Sequence, residues 1–539
     1  MRRQYEPAVL IMELRDYQEQ AVKAVFKEWA NGRPKTLLVC PTGTGKTVIF
    51  SEIVRRIVAA GKRVLVLAHR EELLNQAAEK IETLTGCMTA LEKGAQTSLH
   101  SMAPITIASV QTLSRESRLQ AFDPDHFDTV IIDEAHHALS PTYRRIIDHF
   151  QAKYLGVTAT PDRGDKKKLG KIFDSVAFDY SIITAIKQKH LVPIIAKQIP
   201  LKIDISKVGK SANGDYAAGD SGHAIEPYLS EIAREVKPLC PSRKIVMFLP
   251  LIDTSRKMVK ALQDIGIAAA EVNGESADRA EIIRDFERGK YSVLCNAMLL
   301  TEGWDCPAVD CIVVLRPTKI RSLYVQMVGR GTRPAEGKKD LLLLDFLWQS
   351  GRMELCRPAD IVADKEEKLA RITQKLTDAD GEQLDLLELA DEVDRDIVKE
   401  REQAMKDLLE KNSTKKSKTV NVMQFEFSIG GGMLLDYEPD FAWEREPVTE
   451  KQAQTLRKMG VDPDSISCKG AAVIIIGRLY KRMDAGLATP LQMRTLERYG
   501  IKDVGNWTKD EATRAIGFIA QNNWRMSAIV KEQIRGIRA

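Results

Sequence analysis

Two stretches of the chain alternate unbroken apolar runs with amphipathic segments. From about residue 35 to 160, the runs Thr36–Cys40, Arg63–Ala68, Ile105–Ala108, Thr129–Ile132 and Tyr154–Val157 read as strands. Between them, Val48–Ala60, Glu71–Leu84 and Pro141–Phe150 carry apolar residues at helical spacing. Strands apolar on both faces, separated by helices, predict a parallel sheet covered on each side. The alternation returns from about 243 with KIVMFLP, IAAAEVNG, YSVLCNA, VDCIVVL and LLLLDFLW (341–348), which predicts a second α/β domain.

The expected organisation is a first α/β domain at 1–199, a linker at 200–235, a second α/β domain at 236–350, a charged helical arm at 351–446 and a helical module at 447–539. The stretch GKSANGDYAAGDSG reads as a flexible loop within the linker. The last module contains an internal repeat: TEKQAQTLRKMGV from Thr449 and TPLQMRTLERYGI from Thr489 are offset by 40 residues. At that offset Gln452 matches Gln492, Leu456 matches Leu496 and Gly460 matches Gly500. Each unit reads as helix, glycine turn, extended link and helix, and two such units bury a core that neither buries alone.

The first apolar run leads into the chain's most informative loop, LLVCPTGTGKT (37–47). A strand feeding a glycine-rich loop into a helix builds a phosphate cradle, with backbone N–H groups of Thr42, Gly43, Thr44 and Gly45 aimed at the ligand. Lys46 reaches the β/γ-phosphates and the Thr47 hydroxyl holds Mg²⁺ in such a cradle. The first position of the spacing is Cys40, where Gly or Ala is usual. A second run, TVIIDEAH (129–136), delivers Asp133 and Glu134 to a strand's C-terminal end, where ligands bind in open α/β sheets. Asp133 is the candidate partner of Thr47 for Mg²⁺, and Glu134 the candidate to polarise an attacking water.

Composition narrows the class without naming a function. Hydrophobic residues make up 44% and charged residues 29% of 539, as in soluble globular proteins of several domains. The N-terminus is interrupted by charge, and no apolar run approaches the ~20 residues of a membrane span. The eight cysteines form no C-x-x-C pair, so a reducing, cytoplasmic setting is expected. The net charge of +5 is too small to announce a nucleic-acid binder, so any basic surface must be local.

The motifs together resemble the superfamily 2 helicases of the DEAD/DEAH class, over roughly residues 14–345. LRDYQ (14–18) resembles the adenine-recognition motif, CPTGTGKT (40–47) motif I and DEAH (133–136) motif II. VLVLAHR (64–70) and IASVQTL (107–113) resemble motifs Ia and Ib, TATP (158–161) motif III and IVMFLP (245–250) motif IV. LLTEGWD (299–305) resembles motif V and QMVGRGTR (326–333) motif VI. The resemblance implies two tandem RecA-like parallel-sheet domains with ATP between them and Mg²⁺ as cofactor. It assigns Gln18 and Arg15 to the adenine, and Gly303 and Asp305 to the interdomain ATP site. His136, Thr158 and Thr160 would couple hydrolysis to domain movement, while His69, Arg70, Ser109, Gln111 and Thr301 would contact nucleic acid. In motif VI the spacing of Gln326, Arg330 and Arg333 predicts one helical face pointing into the cleft. The two arginines would stabilise charge on the transferring phosphate.

DEAHH with TATPDRGD is similar to the branch of phage and bacterial DNA helicases and restriction motors. DNA is therefore the expected partner rather than RNA, and no membrane is expected. The alternatives are an RNA remodeller and an ATPase motor or scaffold within a larger DNA-processing complex. The module at 447–539 reads either as a DNA-binding unit or as a helical cap that docks a protein partner.

Overall fold

The computed structural model describes residues 13–68, 74–159, 169–199, 201, 203, 208–211, 215–274, 276, 278–297, 300, 304, 306–346, 355–411, 419–429, 437, 439 and 442–537. The chain forms two compact units, Met1–Asp394 and Arg395–Ala539.

The first unit holds two seven-stranded sheets. In chain order, the strands of the first are β1 (Lys35–Val39), β2 (Val64–Ala68), β3 (Thr89–Glu92), β4 (Ile105–Ser109), β5 (Thr129–Asp133), β6 (Lys153–Thr158) and β7 (Ser175–Asp179). Their spatial order is β3-β4-β2-β5-β6-β1-β7, and every pairing is parallel. The second sheet contains β8 (Ile194–Gln198), β9 (Ile245–Phe248), β10 (Ala269–Val272), β11 (Val293–Asn296), β12 (Cys311–Val314), β13 (Leu341–Asp345) and β14 (Gln383–Asp385). Its order is β10-β11-β9-β12-β13-β8-β14, parallel except for the antiparallel β14. Central strands such as β9, β11, β12 and β13 are buried throughout, which is why they read as continuous apolar runs.

Three placements differ from the sequence reading. The chain crosses between sheets at 180–193, between β7 and β8, rather than at 200–235. Residues 194–198 thus belong to the second sheet, where Ile194 aligns with Leu341. The expected linker instead joins the second core. Leu229, Ile232, Ala233 and Val236 share one face of the helix Leu229–Val236 and pack there with Ile199, Leu201 and Tyr216. The charged arm, in turn, is not helical throughout. The helix Glu366–Asp378 is followed by β14, and the helix Leu386–Lys411 then carries Asp391, paired with Lys187 at 2.9 Å, and Asp394, paired with the buried Lys368 at 2.6 Å.

The second unit is helical, and its repeat is visible atom by atom. Thr449 and Gln452 form a capping box at the start of the helix Glu450–Lys458, and Thr489 and Gln492 form its counterpart on Pro490–Arg498. Gln452 Nε2 then donates to the Lys469 carbonyl at 3.4 Å, and Gln492 Nε2 to that of Lys509 at 3.2 Å. Both helices end in glycines with left-handed backbone, Gly460 (φ 84°) and Gly500 (φ 80°). The second helices of the two repeats, Lys469–Asp484 and Lys509–Gln521, share a core built on Leu456, Ile475, Leu496, Trp507 and Ile519.

Gly156, inside β6, tests the tightness of the first core. A Cβ there would lie 2.5 Å from the Phe173 ring and 2.7 Å from Leu37 Cδ2. Gly156→Ala is expected to destabilise the first unit by about 1–3 kcal/mol, read as a lower urea midpoint of its transition.

Candidate functional site: a cleft between two sheets

Parallel pairing brings the ends of β1, β5 and β6 to one edge of the first sheet. Val39 aligns with Thr158 and Asp133 with Val157, and Cys40 N–H extends the ladder to the Thr158 carbonyl at 3.0 Å. The glycine loop leaves from this edge. Gly43 (φ 91°) and Gly45 (φ 79°) adopt left-handed backbone, which explains the residue type at both. Gly45 caps the helix Lys46–Ala59, so Lys46 and Thr47 open its first turn, where unpaired N–H groups favour an anion. Cys40 is fully buried beneath the loop, and burial pushes its thiol up to about 12.

The adenine-type motif holds this loop from behind. Tyr17 Oη donates to the Thr44 carbonyl at 2.5 Å. Gln18 accepts from Arg15 N–H at 3.0 Å and donates to the same Thr44 carbonyl at 3.4 Å. Arg15, the N-cap of the helix Asp16–Ala30, is exposed at the edge of this arrangement.

Asp133 and Glu134 stand at the end of β5. Glu134 has φ 50° and ψ 57°, an uncommon conformation for a residue with a Cβ. Its N–H donates to Asp133 Oδ1 at 3.0 Å, and its Oε2 lies 3.5 Å from His136 Nδ1. Three buried oxygens at this edge, Thr42 Oγ1, Thr158 Oγ1 and Glu134 Oε2, have no hydrogen-bond partner among the described residues. Buried polar atoms are normally satisfied, so this edge is shaped for a polar ligand. The donors gathered here are hydroxyl and carboxylate oxygens, the set a phosphate-bound Mg²⁺ takes. No cluster of three or more His, Cys, Asp or Glu able to hold a metal unaided occurs among the described residues.

The opposite wall comes from the second sheet. The helix Arg321–Gly329 ends one residue before Arg330, so the three expected motif VI residues do not share one helical face. Gln326 is buried within the helix, while Arg330 is its C-cap and Arg333 lies in the turn beyond. The cause is the Gly329-Arg330-Gly331 sequence, which stops the helix. Arg330 Nη1 donates to the Trp304 carbonyl at 2.6 Å. Gly329 approaches so closely that a Cβ on it would sit 2.6 Å from Thr42 Cβ, and Arg333 Cγ lies 2.9 Å from where a Cβ of Gly43 would be. The glycine loop and the motif VI turn are therefore in direct contact across the cleft.

Two further groups complete the cleft, and neither was foreseen from the sequence. Asp215, buried, accepts from Lys319 N–H at 2.8 Å and from Thr318 Oγ1 at 3.0 Å, fixing the loop that enters the motif VI helix. Tyr17 stacks on Tyr180 (centroids 4.5 Å, planes 8° apart) and packs on His190 at 4.6 Å. Tyr180 Oη shares a 2.7 Å hydrogen bond with His190 Nδ1. Burial raises both tyrosines, Tyr180 to about 12, and lowers His190, so the cluster is neutral at pH 7. Tyr180 and His190 lie on the crossing between sheets. Two residues on, Val192 N–H donates to the Thr332 carbonyl of motif VI at 2.9 Å.

Of the residues expected to meet nucleic acid, Ser109 ends β4 and is buried, with its Oγ donating to Gln111 Oε1 at 3.0 Å, and Gln111 is exposed. His69, Arg70, Thr160, Thr301, Gly303 and Asp305 lie outside the described residues. No helix among the described residues is long and apolar enough to cross a membrane.

Residues 11–163 match the family described as type III restriction enzyme, res subunit, and residues 232–335 match the helicase conserved C-terminal domain. With the cleft between them, these matches make the chain similar to superfamily 2 helicases of the restriction-motor type. It is 30% identical over 423 residues to the Saccharomyces cerevisiae protein named "Putative ATP-dependent helicase IRC3", covering 74% of this chain and 61% of that one. It is 33% identical over 358 residues to the Schizosaccharomyces pombe "Putative mitochondrial ATP-dependent helicase irc3", covering 64% and 59%. The chain thus spans about three-fifths of the length of each yeast relative. A solved structure titled "ATP-dependent Type ISP restriction-modification enzyme LlaBIII bound to DNA" shares the fold, with TM-score 0.52 at 16% identity over 96% of this chain and 44% of that one.

The contact across the cleft can be tested without assuming a reaction. Gly329→Ala is expected to force Thr42 and the motif VI turn apart. Amide exchange at Thr42–Gly45 should then rise roughly 5- to 150-fold, the equivalent of about 1–3 kcal/mol of overpacking. Gly274→Ala, whose Cβ would meet nothing within 4 Å, should leave that exchange unchanged.

Proposed function

We propose that the chain is an ATP-driven motor that moves along or separates the strands of DNA. The observation that carries this reading is the contact of the glycine loop with the motif VI turn, because it sets the candidate phosphate-binding residues of one domain against the candidate arginines of the other. Lys46 and the loop N–H groups bind the β/γ-phosphates, and Glu134 orients the attacking water. Arg330 and Arg333, with Gln326 behind them, offset charge on the transferring phosphoryl group. Gln18 and Arg15 recognise the adenine. Thr47 and Asp133 are the oxygen donors for Mg²⁺, which when bound neutralises charge on the phosphates.

Motion follows from the same geometry. The site is complete only when the two sheets close on it, and product release requires that they part. Thr158 ends β6, the strand between β1 and β5, and it would transmit that change together with His136 and Thr160, as would Gly303 and Asp305 from the second domain. Alternating grip by His69, Arg70, Ser109, Gln111 and Thr301 would advance one strand, chiefly through phosphate and sugar. The likeness to restriction motors and phage helicases favours DNA over RNA and a bacterium or an infected host, and the cysteine pattern favours a reducing cytoplasm.

Lys46→Ala is expected to abolish ATP turnover, whereas Glu134→Gln should still bind ATP but hydrolyse it roughly 10²–10⁴-fold more slowly. Full turnover in either protein would refute the site. Arg333→Ala should lower kcat by about 10³-fold or more. Steady-state ATPase assays with single-stranded DNA, duplex DNA or RNA decide the substrate; stimulation by RNA alone would overturn the DNA reading. Removing 447–539 is expected to spare basal hydrolysis and weaken nucleic-acid binding, which gel-shift titration measures.

A further inference from the structure

Positive charge is concentrated at one end of this chain. Residues 447–539 contain 16 Lys and Arg against nine Asp and Glu, a net of +7, whereas the whole chain carries only +5. The preceding 446 residues are therefore slightly acidic, at −2. The basic excess that the overall composition hides lies in the helical repeat module.

Within that module the two repeats end differently. The second helix of the first repeat, Lys469–Asp484, closes on Gly486 (φ 64°), which takes left-handed backbone without penalty. Its counterpart, Lys509–Gln521, closes instead on Asn523 (φ 52°) and Trp524 (φ 58°). A bulky residue in that conformation costs about 1–2 kcal/mol. The turn is nevertheless held closely. Trp524 N–H donates to the Ile519 carbonyl at 3.0 Å, and Asn522 Nδ2 donates to the Arg525 carbonyl at 2.7 Å.

The strain does not bury the indole. Trp524 is 52% exposed, whereas Trp507 in the same module is 4% exposed and belongs to the core. Tyr499, at the end of the helix Pro490–Arg498, stands beside it with centroids 6.1 Å apart and planes 30° apart. Arg498, Lys502 and Arg525, all exposed, flank the pair in sequence, with Asp503 the one exposed acid of the same turn. An open aromatic face edged by cations is how proteins hold single-stranded nucleic acid without reading its sequence: bases stack and phosphates pair with the rim.

We propose that Trp524, supported by Tyr499 and with the exposed cations Arg498, Lys502 and Arg525 beside the pair in sequence, is a stacking platform for an unpaired base of single-stranded nucleic acid. The proposal rests on the motor reading above and adds a second contact to it, outside the two α/β domains.

The test uses the full chain and two fluorescein-labelled single strands, one mixed-sequence DNA and one abasic strand of the same length, in fluorescence anisotropy at fixed salt. Trp524→Ala is expected to weaken binding of the base-bearing strand roughly 5- to 150-fold. Binding of the abasic strand should change by about twofold at most, because its phosphates remain but its bases do not. Trp524→Phe should restore most of the lost affinity. Wild-type affinity in Trp524→Ala overturns the platform. So does an equal loss on both strands, or a Trp524→Phe protein as weak as Trp524→Ala. A wild-type chain that binds no strand, and whose ATPase no nucleic acid stimulates, sinks the motor reading as well. A wild-type chain that binds while Trp524→Ala binds equally sinks the platform alone.

Discussion

The structure turns on two glycines that let two domains touch. Gly43 and Gly329 lack the one carbon that would collide with Arg333 and Thr42. Because they lack it, the loop of one sheet and the arginine turn of the other meet with each glycine backbone against a side chain of the opposite segment. Parallel sheets send their loops from one edge, and two such edges facing each other make a cleft rather than two separate pockets. The aromatic cluster behind the loop adds a third member. Tyr17 holds the Thr44 carbonyl and stacks on Tyr180, while His190 and Val192 continue along the crossing to Thr332. Loop, crossing and arginine turn therefore form one packed circuit, and a change in any part strains the others.

Much of this was legible in the chain, and the parts that were not share physical causes. The central strands were found because burial on both faces makes them continuous apolar runs. β3, β7, β8 and β14 were missed because they lie at or beside sheet edges, where one face is wet. β8 reads IIAKQ and is alternately buried and half-buried. β14 has only three residues. The expected linker was misread because a polar, glycine-rich stretch stands next to two short amphipathic helices that complete a core. Motif VI showed which residues matter but not their geometry. Periodicity extended the helix through Arg333, while Gly329 and Gly331 end it earlier. Tyr180 and His190 carried no local signal at all, since they acquire meaning only when the fold brings them against Tyr17.

The C-terminal module shows a different kind of legibility. A 40-residue offset was enough to foresee paired units, and the matched Thr–Gln capping boxes give that offset its atomic content. What the repeat could not reveal is where the copies depart from each other. Those departures, Gly486 in one copy and Asn523–Trp524 in the other, separate a turn that merely closes a helix from one that holds an aromatic ring in solvent.

Cys40 brings a last consequence. A cysteine at the head of a phosphate loop would ordinarily make the site vulnerable, since a thiolate there could be alkylated or oxidised next to the ligand. Only the thiolate reacts, and this sulfur is sealed beneath the loop with its proton held well above neutral pH. The position therefore behaves as a small apolar filler. Peroxide or electrophile stress that silences exposed-cysteine enzymes would pass over this candidate site, as long as the loop stays folded over it.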